Sequence, residues 1–354
     1  MGPDASLIDA IAVTEPRKAS LYFDIKRNTL DDGPGIRSVV FFKGCPLSCT
    51  WCQNPESINT GYELSYDAEK CISCHDCADA CPEQAIDLSS PDKIIRDKCT
   101  QCFKCVDVCP SGALERCGND IDMDHLVEKV LEDEAFFEAS GGGVTVSGGE
   151  ALMQMDSVGE LFSRLKQRNV HTLIQTAGLF NYKVFENLVL PYTDTIYFDL
   201  KLMDSDAHKQ YCGVPNHSIH ENFRKVQALA RDSVIEVLPR VPLVPFITDT
   251  DENLSAIADF MLENGVKNMQ ILPYNPIWLD KLPRFGSVQR LDFGEGTGKF
   301  MPDAELDRCT EIFESSGIHV HCHRLCISSD SRRLPDFALP ITHNQSVHHM
   351  RKIK

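Results

Sequence analysis

Residues 44–54 read GCPLSCTWCQN, which spaces Cys45, Cys49 and Cys52 as C-x3-C-x2-C. The run delivers three thiolates from one short loop. A cubane [4Fe–4S] cluster normally takes four cysteines, so three ligands leave one iron open to chemistry. The same three residues also suit a catalytic zinc with water in the fourth place. Zinc ligands more often come from separated elements, and further iron–sulfur signals follow immediately here. Disulfides fit poorly. Nothing marks the chain for export, and neighbouring cysteines in one tight loop rarely meet disulfide geometry.

Downstream, residues 71–82 read CISCHDCADACP and residues 99–110 read CTQCFKCVDVCP. Both are C-x2-C-x2-C-x3-C-P, an internal repeat offset by 28 residues. This is the bacterial two-cluster ferredoxin pattern, in which the fourth cysteine of each run ligates the other cluster. The pattern assigns Cys71, Cys74, Cys77 and Cys109 to one cluster and Cys99, Cys102, Cys105 and Cys81 to the other. Zinc ribbons use paired C-x2-C knuckles, not runs of four.

The 354 residues suffice for one large and one small domain, and 42% hydrophobic content supplies a core. Sixteen cysteines in a chain with no export signal point to metal in a reducing, cytoplasmic compartment. Five of them, Cys117, Cys212, Cys309, Cys322 and Cys326, stand outside the motifs and read as small buried hydrophobes. A net charge of −17 repels polyanions, so nucleic acid is not expected as a partner. No apolar run is long enough to span a bilayer, so no membrane partner is expected.

Apolar, strand-like runs alternate with helical patterns outside the ferredoxin-like stretch. The strand candidates are residues 38–42, 143–147, 171–176, 195–200, 234–241, 268–274 and 318–322. Helical stretches lie at 122–137, 156–168, 219–231, 251–263 and 302–315, with Asp156 and Asp251 as N-caps and Gly265 and Gly317 as stops. Such alternation argues an α/β fold with a parallel sheet. Periodicity alone does not separate a barrel from a doubly wound sheet.

The elements before the triad sharpen the reading. Gly33-Pro34-Gly35-Ile36-Arg37, Phe42-Lys43-Gly44, the three cysteines and Asn54 together resemble the signature of radical S-adenosylmethionine (SAM) enzymes that activate glycyl radical enzymes. The resemblance covers about residues 21–330 and implies a partial (β/α)6 barrel with an inserted ferredoxin-like domain holding two [4Fe–4S] clusters. Expected boundaries are an N-terminal extension at 1–20, barrel at 21–61, insert at 62–117, barrel again at 118–330 and a tail at 331–354.

The resemblance also marks a SAM site at strand ends, where parallel α/β folds place their ligands. Gly148-Gly149-Glu150 matches the motif that binds the methionine amino group, with glycines permitting close approach and the glutamate accepting from an ammonium. Asp199-Leu200-Lys201 matches D-x-K at the same site, with a capping aspartate and a solvated lysine as the alternative. Arg240 matches an arginine-proline strand end suited to a carboxylate. Trp51 occupies the aromatic position beside adenine, with core packing as its alternative. Two positions depart from the pattern. Asn275 stands where relatives carry a histidine, leaving a hydrogen bond to ribose and removing a titrating group. Gln175 stands where many carry an acid.

No catalytic side chain is required, because the resemblance assigns the chemistry to three [4Fe–4S] clusters and SAM. It implies reductive cleavage of SAM to a 5′-deoxyadenosyl radical, and hydrogen abstraction from a glycine Cα of a partner glycyl radical enzyme. It further implies an electron donor of the flavodoxin or ferredoxin type. Alternatives are a radical SAM enzyme with a small-molecule substrate and a plain electron-transfer protein. The identity of the partner is not readable.

Overall fold

The computed structural model describes residues 20–231, 233–287 and 296–322. The N-terminal extension up to residue 19, Cys326 and the C-terminal tail lie outside the described residues. Eleven strands are described: β1 Leu21–Thr29, β2 Arg37–Phe42, β3 Glu63–Tyr66, β4 Leu114–Cys117, β5 Asn119–Asp120, β6 Gly143–Gly148, β7 His171–Thr176, β8 Thr195–Asp199, β9 Glu236–Pro242, β10 Asn268–Leu272 and β11 His319–Cys322.

Nine of them form one sheet in the order β11-β10-β9-β8-β7-β6-β2-β1-β5. From β2 to β11 every neighbouring pair is parallel. Each strand after β6 is laid beside the previous one, always toward the same edge. A doubly wound sheet reverses direction at a switch point. This one never does, so it winds as a barrel does but stays open, with β11 at one edge and β5 at the other. All seven strand candidates lie in this parallel set, one strand more than a six-stranded barrel requires. The nine-residue β1 was not expected. It pairs antiparallel with β2, and its mixed exposure lacks the apolar run of a central strand.

Helices Met123–Leu131, Glu134–Ser140, Met155–Lys166, Tyr182–Leu188, His217–Arg231, Asp251–Glu263 and Asp303–Ser315 pack on the sheet and supply its main core, with Leu126, Phe162, Phe185, Phe223 and Phe313 fully buried. The expected helix at 122–137 is two helices. Asp133 breaks it, because its buried carboxylate accepts from Arg27 Nε (2.7 Å) and Ser38 Oγ (2.6 Å) and so ties the break to β1 and β2. The caps also shift. Thr250, not Asp251, accepts from Asn253 N, and Asp156 lies inside the first turn behind a 3-10 turn at Ala151–Gln154. No described helix is long and apolar enough to cross a membrane.

Between β2 and β6 the chain leaves the sheet. Strands β3 and β4 pair antiparallel, Glu63 opposite Cys117 and Tyr66 opposite Leu114, and close a small core of Leu64, Tyr66, Ile94, Cys105, Ala113 and Leu114. The 28-residue repeat is written in this backbone. Ser73 and Gln101, His75 and Phe103, and Gln84 and Gly112 all take positive φ. Non-glycine residues in this conformation cost about 1–2 kcal/mol each. Such turns aim successive backbone N–H groups into a concavity suited to an anionic group, iron–sulfur clusters included.

Candidate active site

The triad loop hangs from the carboxyl end of β2 and is pinned on both sides. Gly44 N donates to Ser57 O (2.6 Å) and Cys45 N to Ile58 O (3.1 Å). Ser48 N and Thr50 N each donate across 2.9 Å to the carbonyls of Cys212 and Tyr211, at the end of helix Ser205–Cys212. Cys45, Cys49 and Cys52 are half-buried. Burial drives the Cys45 thiol strongly up and the Cys52 thiol up to about 12. Such thiols give up their protons to a metal, not to neutral water. Among the described residues no three His, Cys, Asp or Glu side chains converge on one point as ligands of a single ion do. A cubane asks for less convergence, since each thiolate binds its own iron.

The Gly148-Gly149-Glu150 turn follows β6 and docks directly on this loop. Glu150 N donates to Gly44 O at 2.8 Å. A Cβ at Gly149 would stand 2.2 Å from Gly44 O, and one at Gly148 (φ +114°) 2.3 Å from Phe42 O. The glycines therefore let backbone meet backbone, with β2 and the cysteine loop packed directly against the turn. Glu150 itself is fully buried. Its carboxylate accepts from Thr176 Oγ1 (2.9 Å to each oxygen), Ala177 N (2.8 Å) and Leu152 N (3.2 Å). Among the described residues it forms no ion pair. Burial raises its pKa to about 7, against the hydrogen bonds that lower it.

Three further expected residues meet at the ends of β8 and β9. Asp199 Oδ1 accepts from Arg240 Nε (2.9 Å), and Oδ2 accepts from Lys201 Nζ (3.1 Å). Burial works against the Asp199 charge, but Arg240 and Lys201 outweigh it and hold the carboxyl below its ordinary value. Burial likewise opposes the Lys201 charge, and Asp199, Cys49 and Cys212 outweigh it, raising the ammonium's pKa. Lys201 is thus no solvated lysine; its charge faces the triad loop. Leu200 is buried, and its N–H donates to Arg240 O at 2.8 Å. Asp199→Asn leaves two cations mostly buried around a neutral amide, a loss of about 3 kcal/mol in unfolding free energy. Denaturant melts of the two cluster-free proteins check this; coincident midpoints would refute it.

Trp51 is buried with Leu47, Leu202, Val244, Tyr274 and Trp278 in an apolar cluster that Cys45 and Cys49 border. Asn275 caps the 3-10 turn Pro276–Asp280 through Ile277 N (2.9 Å), and its carbonyl accepts from Gln53 Nε2 (3.0 Å). Gln175 accepts from Ser147 Oγ (2.8 Å) and donates to Asp32 Oδ1 (3.0 Å). An acid at 175 would set two carboxylates face to face, which is a local reason for the amide.

Two residues make contacts here that the sequence did not assign to them. Cys212, read as a packing cysteine, is fully buried in the apolar cluster around Trp51, and its thiol, paired with that of Cys49, lowers the Cys49 thiol and is itself raised. Nothing in the spacing of residues 49 and 212 signals that contact. Lys43 is buried, and its ammonium donates to Glu56 O (2.6 Å) and to Glu63 Oε2 on β3 (2.8 Å), joining sheet to insert beside the triad.

In the insert, Cys71, Cys74, Cys77 and Cys109 line one cavity, and Cys81, Cys99, Cys102 and Cys105 line a second. Lys93 Nζ donates to Cys71 Sγ at 2.8 Å and lowers that thiol to about 7.

A protein-family profile described as a 4Fe-4S dicluster domain matches residues 63–110. The (2S)-3-sulfopropanediol dehydratase activating enzyme of Klebsiella oxytoca is 33% identical over 308 residues, 84% of this chain and 95% of that one. The trans-4-hydroxy-L-proline dehydratase activating enzyme of Clostridioides difficile is 36% identical over 84% of this chain and 97% of its own. The pyruvate formate-lyase 2-activating enzyme of Escherichia coli (strain K12) is 36% identical over 84% of this chain and 90% of its own. The chain belongs to the radical SAM activating enzymes of glycyl radical enzymes. It is an iron–sulfur oxidoreductase that uses SAM to generate a glycyl radical on a partner enzyme.

Proposed function

We propose that Cys45, Cys49 and Cys52 hold a [4Fe–4S] cluster with one open iron, and that the two insert cavities hold one [4Fe–4S] cluster each, three in all. The observation that carries the catalytic assignment is Glu150. It is a fully buried carboxylate with no cation among the described residues, one hydrogen bond from the cysteine loop. Desolvation makes such a group a receptor for a positive ligand, and the amino group of SAM supplies that charge. When bound, the cluster and SAM together supply a 5′-deoxyadenosyl radical able to take hydrogen from a glycine Cα.

The chain's own residues do the rest. Thr176, Ala177 and Leu152 orient Glu150 through three donors, the Thr176 hydroxyl standing equally near both carboxylate oxygens. Asp199 fixes Lys201 and Arg240, whose positive ends stand ready for the SAM carboxylate and offset the negative charge of a thiolate-bound cluster. The apolar cluster around Trp51 keeps water from the back of the loop. Asn275 retains donors for a ribose hydroxyl. No residue is needed as general acid or base.

Electrons enter from a flavodoxin- or ferredoxin-type donor by way of the insert, in the cytoplasm. The strongly acidic chain makes nucleic acid a poor partner. The three relatives quoted serve different client enzymes at nearly equal identity, so the client is named by experiment. Reduced, reconstituted protein is incubated anaerobically with SAM and a glycyl radical enzyme encoded beside it. A glycyl doublet in the electron paramagnetic resonance spectrum is the expected result. Release of 5′-deoxyadenosine with the radical found only in a small molecule would overturn the assignment.

A further inference from the structure

The chain between the two four-cysteine runs is a small hairpin. Ile86 and Ile94 form an antiparallel bridge, Ile95 N donates to Ala85 O (2.8 Å), and Asp87 N donates to Lys93 O (2.7 Å). Lys93 closes the turn with φ +52°. That corner sends its side chain onto the wall of the cavity formed by Cys71, Cys74, Cys77 and Cys109. There the ammonium donates to Cys71 Sγ at 2.8 Å and stands 5.6 Å from the centroid of the Tyr66 ring, which it faces as a cation over a π cloud.

The second cavity has no equivalent contact among the described residues. Its sulfur Cys81 Sγ accepts from a neutral donor, Ala85 N, at 3.3 Å. Arg96 lies near Cys99, but its guanidinium donates to the carbonyls of Leu64 (2.6 Å) and Arg284 (3.0 Å), not to sulfur. Two motifs that are equivalent in sequence are therefore unequal in electrostatics. The potential of an iron–sulfur cluster depends on hydrogen bonds to its sulfurs and on nearby charge. A donated ammonium favours the reduced state, which carries one more negative charge.

Strand β3 orders the two cavities. Glu63 is bound to Lys43 beside the triad loop; Leu64 lines the second cavity, and Tyr66, two residues further from that anchor, lines the first. The cavity bearing Lys93 is thus the outer one. We propose that Lys93 makes the Cys71/Cys74/Cys77/Cys109 cluster the higher-potential member of the pair, so that an arriving electron settles first on the outer cluster before passing inward. The inference rests on the three-cluster reading above.

The test is a potentiometric titration followed by electron paramagnetic resonance. It uses the full chain with Cys45, Cys49 and Cys52 replaced by alanine, so that only the insert clusters report. About eight irons per chain and two separate one-electron steps are expected. Lys93→Met should move only the upper step, lowering its reduced-to-oxidised ratio at fixed potential about tenfold, about 59 mV. Lys93→Arg should keep most of the effect. Lys70→Met removes a charge next to Cys71, but that ammonium is bound to Glu115 at 3.0 Å, so both steps should stay in place. If Lys93→Met does not retain iron, Lys93→Gln is titrated in its stead and should show the same fall. Eight irons with unmoved steps in the Lys93 variants, with both steps moving alike, or with Lys70→Met matching Lys93→Met overturn the inference. An iron content well below eight before Lys93 is touched overturns the cluster reading itself.

Discussion

Replacing Cys45, Cys49 and Cys52 together with alanine lowers the iron content of the reconstituted chain from about twelve to about eight and abolishes 5′-deoxyadenosine formation. The reasoning is one of independent sites. The triad loop is held by backbone bonds to residues 57, 58, 211 and 212, none of which involves a cysteine sulfur of the insert. The insert cavities draw their sulfurs from 71–109 alone. Removing three half-buried thiols should therefore empty one site and leave two. Iron and sulfide analysis, together with chromatographic assay of SAM cleavage under dithionite, checks both halves. Retention of twelve irons, or cleavage that persists with eight, would show that the open iron lies elsewhere.

Glu150→Gln weakens SAM binding at least 30-fold at pH 8 and flattens its pH dependence. Removing one partner of a buried charge pair costs about 2–5 kcal/mol, of which 2 kcal/mol already gives that factor. The sign of the pH effect follows from burial. The folded carboxyl titrates near 7 against an ordinary value of 4.5. Its contribution to the stability of the ligand-free protein is thus present below 4.5 and is lost as pH rises toward 7. An ammonium ligand reverses this, because it selects the ionised form. Affinity in the parent protein should fall about tenfold per pH unit below 7, where the carboxyl must first lose its proton. Equilibrium binding measured anaerobically between pH 6 and 8.5 reads the slope. Parallel profiles for parent and variant would mean that Glu150 does not face the ligand's charge.

Much of the molecule was legible as sequence. The triad, the doubled four-cysteine run and seven parallel strands are local facts: a ligand set within one loop, a repeat, an apolar run of strand length. What escaped was equally physical. Strand β1 carries no central-strand signature because it lies antiparallel near the sheet's edge and shows mixed burial. The helix at 122–137 looked continuous because periodicity does not reveal that Asp133 is claimed by Arg27 and Ser38 from strands a hundred residues earlier. At Gly148 and Gly149 the space a side chain would need is taken by this chain's own backbone, a contact that spacing along the chain does not reveal.

Which donors exist, and in what spacing, can be read along the chain, because metal ligation and strand periodicity act over a few residues. Which charges those donors meet follows only from how the chain folds. The one-directional winding of the sheet carries Glu150 to Thr176 and Ala177 and Arg240 to Asp199, the helix after β8 brings Cys212 to the cysteine loop, and a short hairpin sets Lys93 on Cys71. Those meetings join residues far apart along the chain or across a turn, and electrostatic interaction depends on distance in space, which no spacing along the sequence records.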